Sequence, residues 1–456
     1  MASLERFHYV GVAGSGMSAL AQFHVMGSGA ASGSDRSFDR GQAPELRRRL
    51  EALGVRIAPQ DGSALRGGRV DAVVCSTAIE DDNPDLAEAR RSQVPVIHRA
   101  DMLARYVHER RTVAVAGTSG KSTVAAMVFE ILSAAGREPS IITGGGLRVL
   151  EKRGVAGNAW QGKSDLLVVE ADESDGTLVR YRPWLGVLLN VERDHKEIPE
   201  LLRLFSEFRS RCSSFIVHAG SPGLEAFASK GAGFGLCEGA ELRGEDVRLE
   251  PASSSFTVRG VRFALPAPGR HNVENALAAT LAATRAGASL EDAARALASF
   301  EGVARRFESI GSARGVQVID DFAHNPAKVR AALAAARLRG GRVLALFQPH
   351  GFAPTRFNLQ GFIDAFAEGL GEGDVLWLPE IYYAGGTAQK TVSSRDIAVP
   401  VRERGRDARF VESRDALAAL VAAEAKPGDV VLLMGARDPT LGELARGILR
   451  EIEKGI

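Results

Sequence analysis

The sequence predicts an α/β protein built from parallel sheets with helices on their faces, arranged in three consecutive blocks. Short apolar runs ending at glycine or acidic residues alternate with helix-patterned stretches along most of the chain. That β-α-β rhythm belongs to parallel sheets. The 456 residues also exceed one hydrophobic core, at roughly 100–200 residues per domain.

In the first block Phe7 to Val12 reads as a strand, Ser18 to Met26 as a helix, Gly29 to Ser34 as a strand and Ala43 to Leu53 as a helix. Val70 to Cys75 and Val94 to Ile97 are further strands. The second block opens at Arg111, with a strand over Thr112 to Ala116 and a helix over Lys121 to Ala135. Leu166 to Val169 and Leu185 to Leu189 are wholly apolar, as strands covered on both faces are. After a strand near Ile216, Leu242 to Leu265 alternates and is expected as a small antiparallel insert; helices follow over Asn272 to Ala286 and Leu290 to Phe300. The third block reads strand Gln317 to Asp320, helix Pro326 to Leu338, strand Arg342 to Phe347 and helix Leu359 to Leu370, then strands Asp374 to Leu378 and Val430 to Met434. The domains are therefore expected at 1–108, 109–304 and 305–456, with no solenoid repeat.

Composition excludes several classes. Hydrophobic residues are 45% and charged residues 25%, ordinary globular usage that argues against long disorder. Lys+Arg 57 against Asp+Glu 56 leaves a net charge of +1, which gives no reason to expect nucleic acid or a membrane surface as partner. Cys75, Cys212 and Cys237 are scattered and form no disulfide or zinc framework. The first residues lack a signal-peptide pattern and no run of about 18 apolar residues exists, so a cytoplasmic protein is expected. The pattern carries no signal for an oligomeric state.

Five motifs carry chemistry. Gly11-Val12-Ala13-Gly14-Ser15-Gly16 lies between a strand and a helix, where backbone N–H groups meet an anion. Its Gly-x-x-Gly-x-Gly spacing differs from that of dinucleotide binders. Asp35 ends the next strand, where an acidic residue meets a ribose or base; a plain tight turn is the alternative for this motif. Gly117, Thr118, Ser119, Gly120, Lys121, Ser122 and Thr123 form a shortened phosphate loop, with Val115 where the full pattern has glycine. Its N–H groups cradle phosphate, Lys121 neutralises it, and the Ser122 hydroxyl suits Mg²⁺. Glu170-Ala171-Asp172-Glu173-Ser174-Asp175 gathers four carboxylates at a strand end, whose repulsion a cation or solvent relieves; Mg²⁺ is the reading its place favours and a bare acidic turn the alternative. Asn190 to His195 ends the next strand, where His195 could reach a second metal ion, with a structural histidine as the alternative. His271, Asn272 and Asn275 open a helix and serve equally as caps or as readers of an adenine edge. Arg306 and Asp321 suit a phosphate and a ribose, but on spacing alone these are weak signals.

Taken together and in this order, these motifs resemble the Mur ligase family over essentially the whole chain, most closely its alanine-adding branch. Val10 to Met17, Ser32 to Asp35, Ser76 to Ile79, Asp82 to Pro84, Val96 to Leu103, Glu170 to Asp175, Gly269 to Asn272 and Phe347 to His350 carry the likeness. The resemblance implies a Rossmann-like N-terminal domain for a UDP-sugar and a central phosphate-loop ATPase-type domain for ATP and Mg²⁺. It implies a Rossmann-like C-terminal domain for the amino acid. The implied reaction is ATP-dependent amide formation on the carboxylate of UDP-N-acetylmuramate through an acyl phosphate, in peptidoglycan precursor synthesis.

By family position, Lys121, Glu170, His195, His324 and Arg306 are the catalytic set, and Ser122, Glu170 and His195 hold metal, with Glu173 as a helper. His271, Asn272 and Asn275 hold adenine, Arg306 reaches phosphate and Asp321 meets ribose. Gly14, Ser15, Gly16, Met17, Asp35, Ser76, His98, Arg99 and Arg356 contact substrates. Lys196 is an unconvincing site for carbamylation.

The chain departs from that branch in three places. Ser119-Gly120-Lys121-Ser122 replaces His-Gly-Lys-Thr, and Phe322-Ala323-His324-Asn325-Pro326 replaces Tyr-Gly-His-His-Pro. Only Arg356 remains of the arginines after Gln348-Pro349-His350. These changes leave open a recycled peptide as the amine or a non-muramate acceptor. A catalytically silent nucleotide-binding relative is a third reading and a nicotinamide dehydrogenase a fourth. The role of Pro379 to Gly386 is open.

Overall fold

The computed structural model describes residues 4–66, 69–193, 196–228, 233–383, 390–436, 438 and 440–455. The chain divides into two compact units. One comprises Met1–Asp246, Phe256–Ala264 and Glu274–Ala304; the other comprises Val247–Ser255, Leu265–Val273 and Arg305–Ile456.

The first unit holds two parallel sheets. The N-terminal sheet has the spatial order Arg56–Ile57, Ala30–Ser34, Arg6–Val10, Ala72–Cys75, Val96–His98. Every pairing in it is parallel. The order reverses beside Arg6–Val10, which opens a crevice at the carboxyl end of that strand, where the glycine loop lies. Asn83, with Pro84 after it, starts one flanking helix by accepting the Asp85 N–H.

The central sheet has the order Ser214–Val217, Leu185–Leu188, Arg111–Ala116, Leu166–Ala171, Ser140–Ile142, Ala159–Trp160. Only Ala159–Trp160 runs antiparallel. Its middle strands are buried on both faces, as their unbroken Val/Leu/Ala runs require. One continuous core joins the two sheets and their helices: Phe7, Phe23 and Met102 belong to the same cluster as Ala114, Val169 and Phe205.

The second unit is built on a sheet ordered Glu308–Ala313, Val316–Asp321, Val430–Gly435, Val343–Gln348, Val375–Pro379, Asp407–Val411. Separate cores cover its two faces, one around Phe347, Phe362 and Phe366, the other around Trp377, Leu433 and Ile448.

The structure adds to and corrects the expected elements. Glu308–Ala313 is an antiparallel edge strand with a register shift between Ser309 and Gly311. Its small polar residues gave no apolar run. The helix Ile198–Arg211 buries Leu201, Leu204, Phe205 and Phe208, spaced for one helical face. The region expected as an antiparallel insert, Leu242 to Leu265, instead opens with Leu242–Arg243 paired in parallel with Phe234–Gly235. A three-stranded sheet of Glu245–Leu249, Ser254–Val258 and Val261–Leu265 follows it. Among the described residues no helix is long and apolar enough to cross a membrane.

Candidate active site

The phosphate loop follows the strand Arg111–Ala116 and ends in the helix Lys121–Ala134. Gly117 has φ +136° and a Cβ there would lie 3.2 Å from Asn190 N. Gly120 has φ +85° and its Cβ would lie 2.6 Å from Asn275 Oδ1. Both glycines are thus required by backbone geometry and by close neighbours. Asn275, expected at a base, stands against this loop. The first turn at Lys121, Ser122 and Thr123 presents helix N–H groups and the positive end of the helix dipole.

The adjacent strand in register is Leu166–Ala171: Val115 pairs with Glu170 and Ala116 with Ala171. The acidic turn therefore lies beside the phosphate loop. Lys121 Nζ donates to Glu173 Oε2 at 2.6 Å and to Gly117 O at 2.7 Å, and lies 3.8 Å from Asp172 Oδ1. Burial pulls the Lys121 ammonium down, but Glu173, Asp172 and Glu170 outweigh it and leave its pKa above the ordinary lysine value. Burial pushes the Glu173 carboxyl up, against the pull of Lys121. The lysine stays charged in an acidic surround.

Glu170 accepts from the Thr143 hydroxyl and from Gly144 N at 3.0 Å. A Cβ on the next residue, Gly145, would lie 3.5 Å from Ser122 Oγ. The loop 143–145 therefore lies against both Ser122 and Glu170, the two described candidates for a metal. His195 lies outside the described residues. Among the described residues no group of three or more His, Cys, Asp and Glu forms a metal cage. An all-oxygen set of one hydroxyl and one carboxylate beside a phosphate cradle fits Mg²⁺, which keeps waters and phosphate oxygens as its other ligands.

Asn190, whose role the sequence left unread, clamps the loop. Its Oδ1 accepts from Thr118 Oγ1 at 3.0 Å and Ser119 N at 2.9 Å, and its Nδ2 donates to Ser119 O at 3.1 Å. The Thr118 hydroxyl in turn accepts from Glu192 N, and Ser119 Oγ donates to Glu192 at 3.3 Å.

The glycine loop is held the same way. Gly11 turns the chain at φ +76°, and Gly14 caps the helix Ser15–Met26 without a side chain, leaving its first N–H groups open. Asp35 accepts from Ala13 N at 3.0 Å and Ser37 N at 2.8 Å, so its carboxylate braces the loop from the next strand. A Cβ on Gly16 would lie 2.7 Å from an Arg99 guanidinium nitrogen, which places that side chain over the loop. Arg99 also donates to Asp175 at 2.9 Å, linking the glycine loop to the acidic turn. His98 caps the following helix by accepting Ala100 N, and burial together with Arg180 and Arg99 holds its pKa low. Ser76 accepts from Ala78 N at 3.4 Å, in a turn whose Ile79 packs over Gly11. Met17 departs from the rest: its side chain is buried in the core.

In the second unit Asp321 accepts from Phe307 N at 2.6 Å and Ala323 N at 2.7 Å. Its carboxylate braces its own strand end, and burial pushes its pKa up. Arg306 lies over the Phe322 ring at 4.8 Å. His324 hydrogen-bonds Phe322 O through Nδ1 and meets His350 edge-on at 5.7 Å. Burial, then Lys328, holds its pKa well below the ordinary histidine value, so it is a neutral imidazole. Arg356 donates to Thr391 Oγ1. At the start of the helix Arg270–Arg285, Asn272 Nδ2 donates to Pro268 O at 2.7 Å, and His271 packs on Gly269. Of Pro379 to Gly386, the stretch 384–386 lies outside the described residues; Glu380 accepts from Ile381 N, Ser393 Oγ and Ser394 N.

Comparison with known proteins places this geometry. Three family models match: "Mur ligase family, catalytic domain" over residues 6–111, "Mur ligase middle domain" over 115–283 and "Mur ligase, glutamate ligase domain" over 305–437. The chain is 37% identical to a UDP-N-acetylmuramate–L-alanine ligase of Mycolicibacterium vanbaalenii, over 99% of this chain and 97% of that protein. It is 36% identical to the enzyme of that name from Xanthomonas euvesicatoria, over 97% and 95%. The crystal structure of a UDP-N-acetylmuramate-alanine ligase from Thermotoga maritima superposes with a TM-score of 0.81 at 26% identity, over 98% of this chain and 99% of that one. A murein peptide ligase from Psychrobacter arcticus shares the fold, with a TM-score of 0.71 at 22% identity over 99% of each chain. The chain belongs to the Mur ligase family.

Proposed function

We propose that this protein is an ATP-dependent ligase that joins L-alanine to the carboxylate of UDP-N-acetylmuramate, releasing ADP and phosphate, in peptidoglycan precursor synthesis. The observation that carries the chemistry is the register of Leu166–Ala171 beside Arg111–Ala116, which sets Glu170 and Glu173 against the phosphate loop. The full-length likeness to L-alanine ligases supports the choice of substrates.

Residues 1–108 would take the UDP-sugar, 109–304 ATP and 305–456 the amino acid. The substrate carboxylate attacks the γ-phosphorus and ADP leaves, giving an acyl phosphate. The amine then attacks the acyl carbon and phosphate departs, keeping the carboxylate oxygen. Two anions must meet in the first step, so positive charge at the transferred group decides the rate. Lys121 exchanges Glu173 for the transferring oxygens. The helix start at Lys121 to Thr123 receives phosphate through its N–H groups. Ser122 and Glu170 would hold Mg²⁺, with His195 as a further ligand, and the ion would supply charge neutralisation at the phosphates. Arg99 and the open N–H groups of the glycine loop fit the diphosphate of the sugar nucleotide. His324, kept neutral, is suited to donate to or accept from the tetrahedral centre. His271, Asn272 and Asn275 would take adenine, and Arg306 and Asp321 phosphate and ribose.

A second reading rests on Asn325 and on the segment Gly351 to Arg356: the same ligation with a cell-wall tripeptide as the amine. The test is phosphate release from ATP and Mg²⁺ with UDP-N-acetylmuramate, run across the twenty amino acids and one cell-wall tripeptide. Turnover with L-alanine is expected. Turnover with the tripeptide alone would transfer the function to the second reading, and none with any amine would remove muramate as the acceptor.

A further inference from the structure

A buried hydrogen-bond chain runs between the glycine loop and the phosphate site, and Asn158 is its centre. Asn158 is 5% exposed and stands just before the strand Ala159–Trp160. Its Nδ2 donates to Ser15 O at 2.7 Å and to Ser18 Oγ at 2.9 Å. Its Oδ1 accepts from Gln22 Nε2 at 2.7 Å. Gln22 Oε1 accepts from Ala156 N at 3.2 Å, so the two amides lock each other. On the main-chain side Asn158 O accepts from Thr143 N at 3.0 Å, and the Thr143 hydroxyl donates to Glu170. One residue thus holds the glycine loop with its side chain and the Glu170 partner with its backbone. Ser18, Gln22 and Thr143 are all buried, so water cannot replace these bonds.

We propose that Asn158 is a positioning residue that fixes the register between the glycine loop and the phosphate site; this rests on the ligase reading above. In the ligase reading the glycine loop holds the diphosphate of the sugar nucleotide, and so sets where its carboxylate lies, while the phosphate loop holds the phosphoryl group. A misplacement of about 1 Å between them costs on the order of 10²-fold in rate. Asn158 reaches both loops through the buried interior, and its side-chain Nδ2 and Oδ1 are both engaged within the protein.

The test compares the wild type with Asn158→Ala. UDP-N-acetylmuramate and MgADP are first titrated separately, and each affinity is expected to stay within about threefold of wild type. kcat is expected to fall about 10- to 100-fold with both KM values little changed. UDP-N-acetylmuramate is then titrated with and without saturating MgADP. The wild type is expected to show a coupling of about fivefold or more between the two ligands, and the variant a ratio near one. Should Asn158→Ala not fold, Gln22→Met removes the bond to Asn158 Oδ1, together with the Gln22 bonds to Ser18 O and Ala156 N, but leaves both Asn158 Nδ2 bonds in place, and is expected to lower kcat and coupling by smaller factors. An unchanged kcat, a loss confined to the KM for the sugar nucleotide, or equal coupling in wild type and variant would overturn the proposal. A wild type that binds UDP-N-acetylmuramate but does not turn over with alanine would instead overturn the amine of the ligase reading, and the coupling ratio would still decide the role of Asn158; a wild type that does not bind UDP-N-acetylmuramate would overturn the acceptor, and this proposal with it.

Discussion

Lys121 has Glu173 as its partner in the structure, at 2.6 Å, and the pair explains how a buried ammonium is kept charged before phosphate arrives. Lys121→Ala removes the cation that meets the transferring charge. A fall in kcat of about 10³-fold or more is expected, with a melting temperature within a few degrees of wild type. Near-normal turnover would place the phosphate site elsewhere. Glu170→Gln keeps the acceptor for Gly144 N but loses the charge that suits a divalent cation. The Mg²⁺ concentration for half-maximal rate is expected to rise about tenfold, read from a metal titration at saturating ATP. The lysine and its glycines were legible in the sequence because they are contiguous. Asn190, Thr143 and Asn158 were not, because their partners lie far along the chain: Asn190 closes on Thr118 across 72 residues, and Asn158 on Ser15 across 143. Asp35 shows the converse. It lies at the expected loop, but its oxygens brace backbone N–H groups, a use that residue type and spacing alone do not separate from ribose binding.

Among the elements, the wholly apolar strands were read correctly because a covered parallel strand has only one composition. The edge strand Glu308–Ala313 escaped because an edge needs no apolar run, and its Ser and Gly suit the register shift it carries. The phosphate-loop helix hides a titratable group that its apolar pattern did not suggest. Burial and the nearby Glu301 push the Glu130 carboxyl up to about 8, and its buried Oε1 has no hydrogen-bond partner among the described residues. A carboxyl raised in the folded state binds more protons there than in the unfolded chain between about pH 4.5 and 8. Stability therefore falls as pH rises through that window. Glu130→Gln removes the ionisation, so the variant is expected to exceed wild type by about 4 kcal/mol at pH 8.5 and to lose most of that advantage at pH 5. Denaturant unfolding at the two pH values checks this, and a gap independent of pH would contradict it.

At the scale of the molecule, three blocks are legible in the sequence but two compact units are found. The reason lies in the core. Phe7, Phe23 and Met102 share one cluster with Ala114, Val169 and Phe205, and the Gln22–Asn158 pair crosses the same boundary. Neither the shared cluster nor the amide pair leaves a local signature in a linear pattern. A fragment of residues 1–108 is expected to lack a cooperative thermal transition, because folding alone would leave that shared face in water. A fragment of residues 305–456, with cores on both faces of its own sheet, is expected to melt cooperatively. Circular dichroism on the two fragments checks both statements.

Ligation by this molecule requires that it activate a carboxylate as an acyl phosphate. Supplying UDP-N-acetylmuramate labelled with ¹⁸O in its carboxylate, with ATP, Mg²⁺ and L-alanine, tests this directly. The phosphate released is expected to carry one ¹⁸O per turnover. Unlabelled phosphate would mean that water, not the carboxylate, attacks the nucleotide, and would contradict the ligase mechanism.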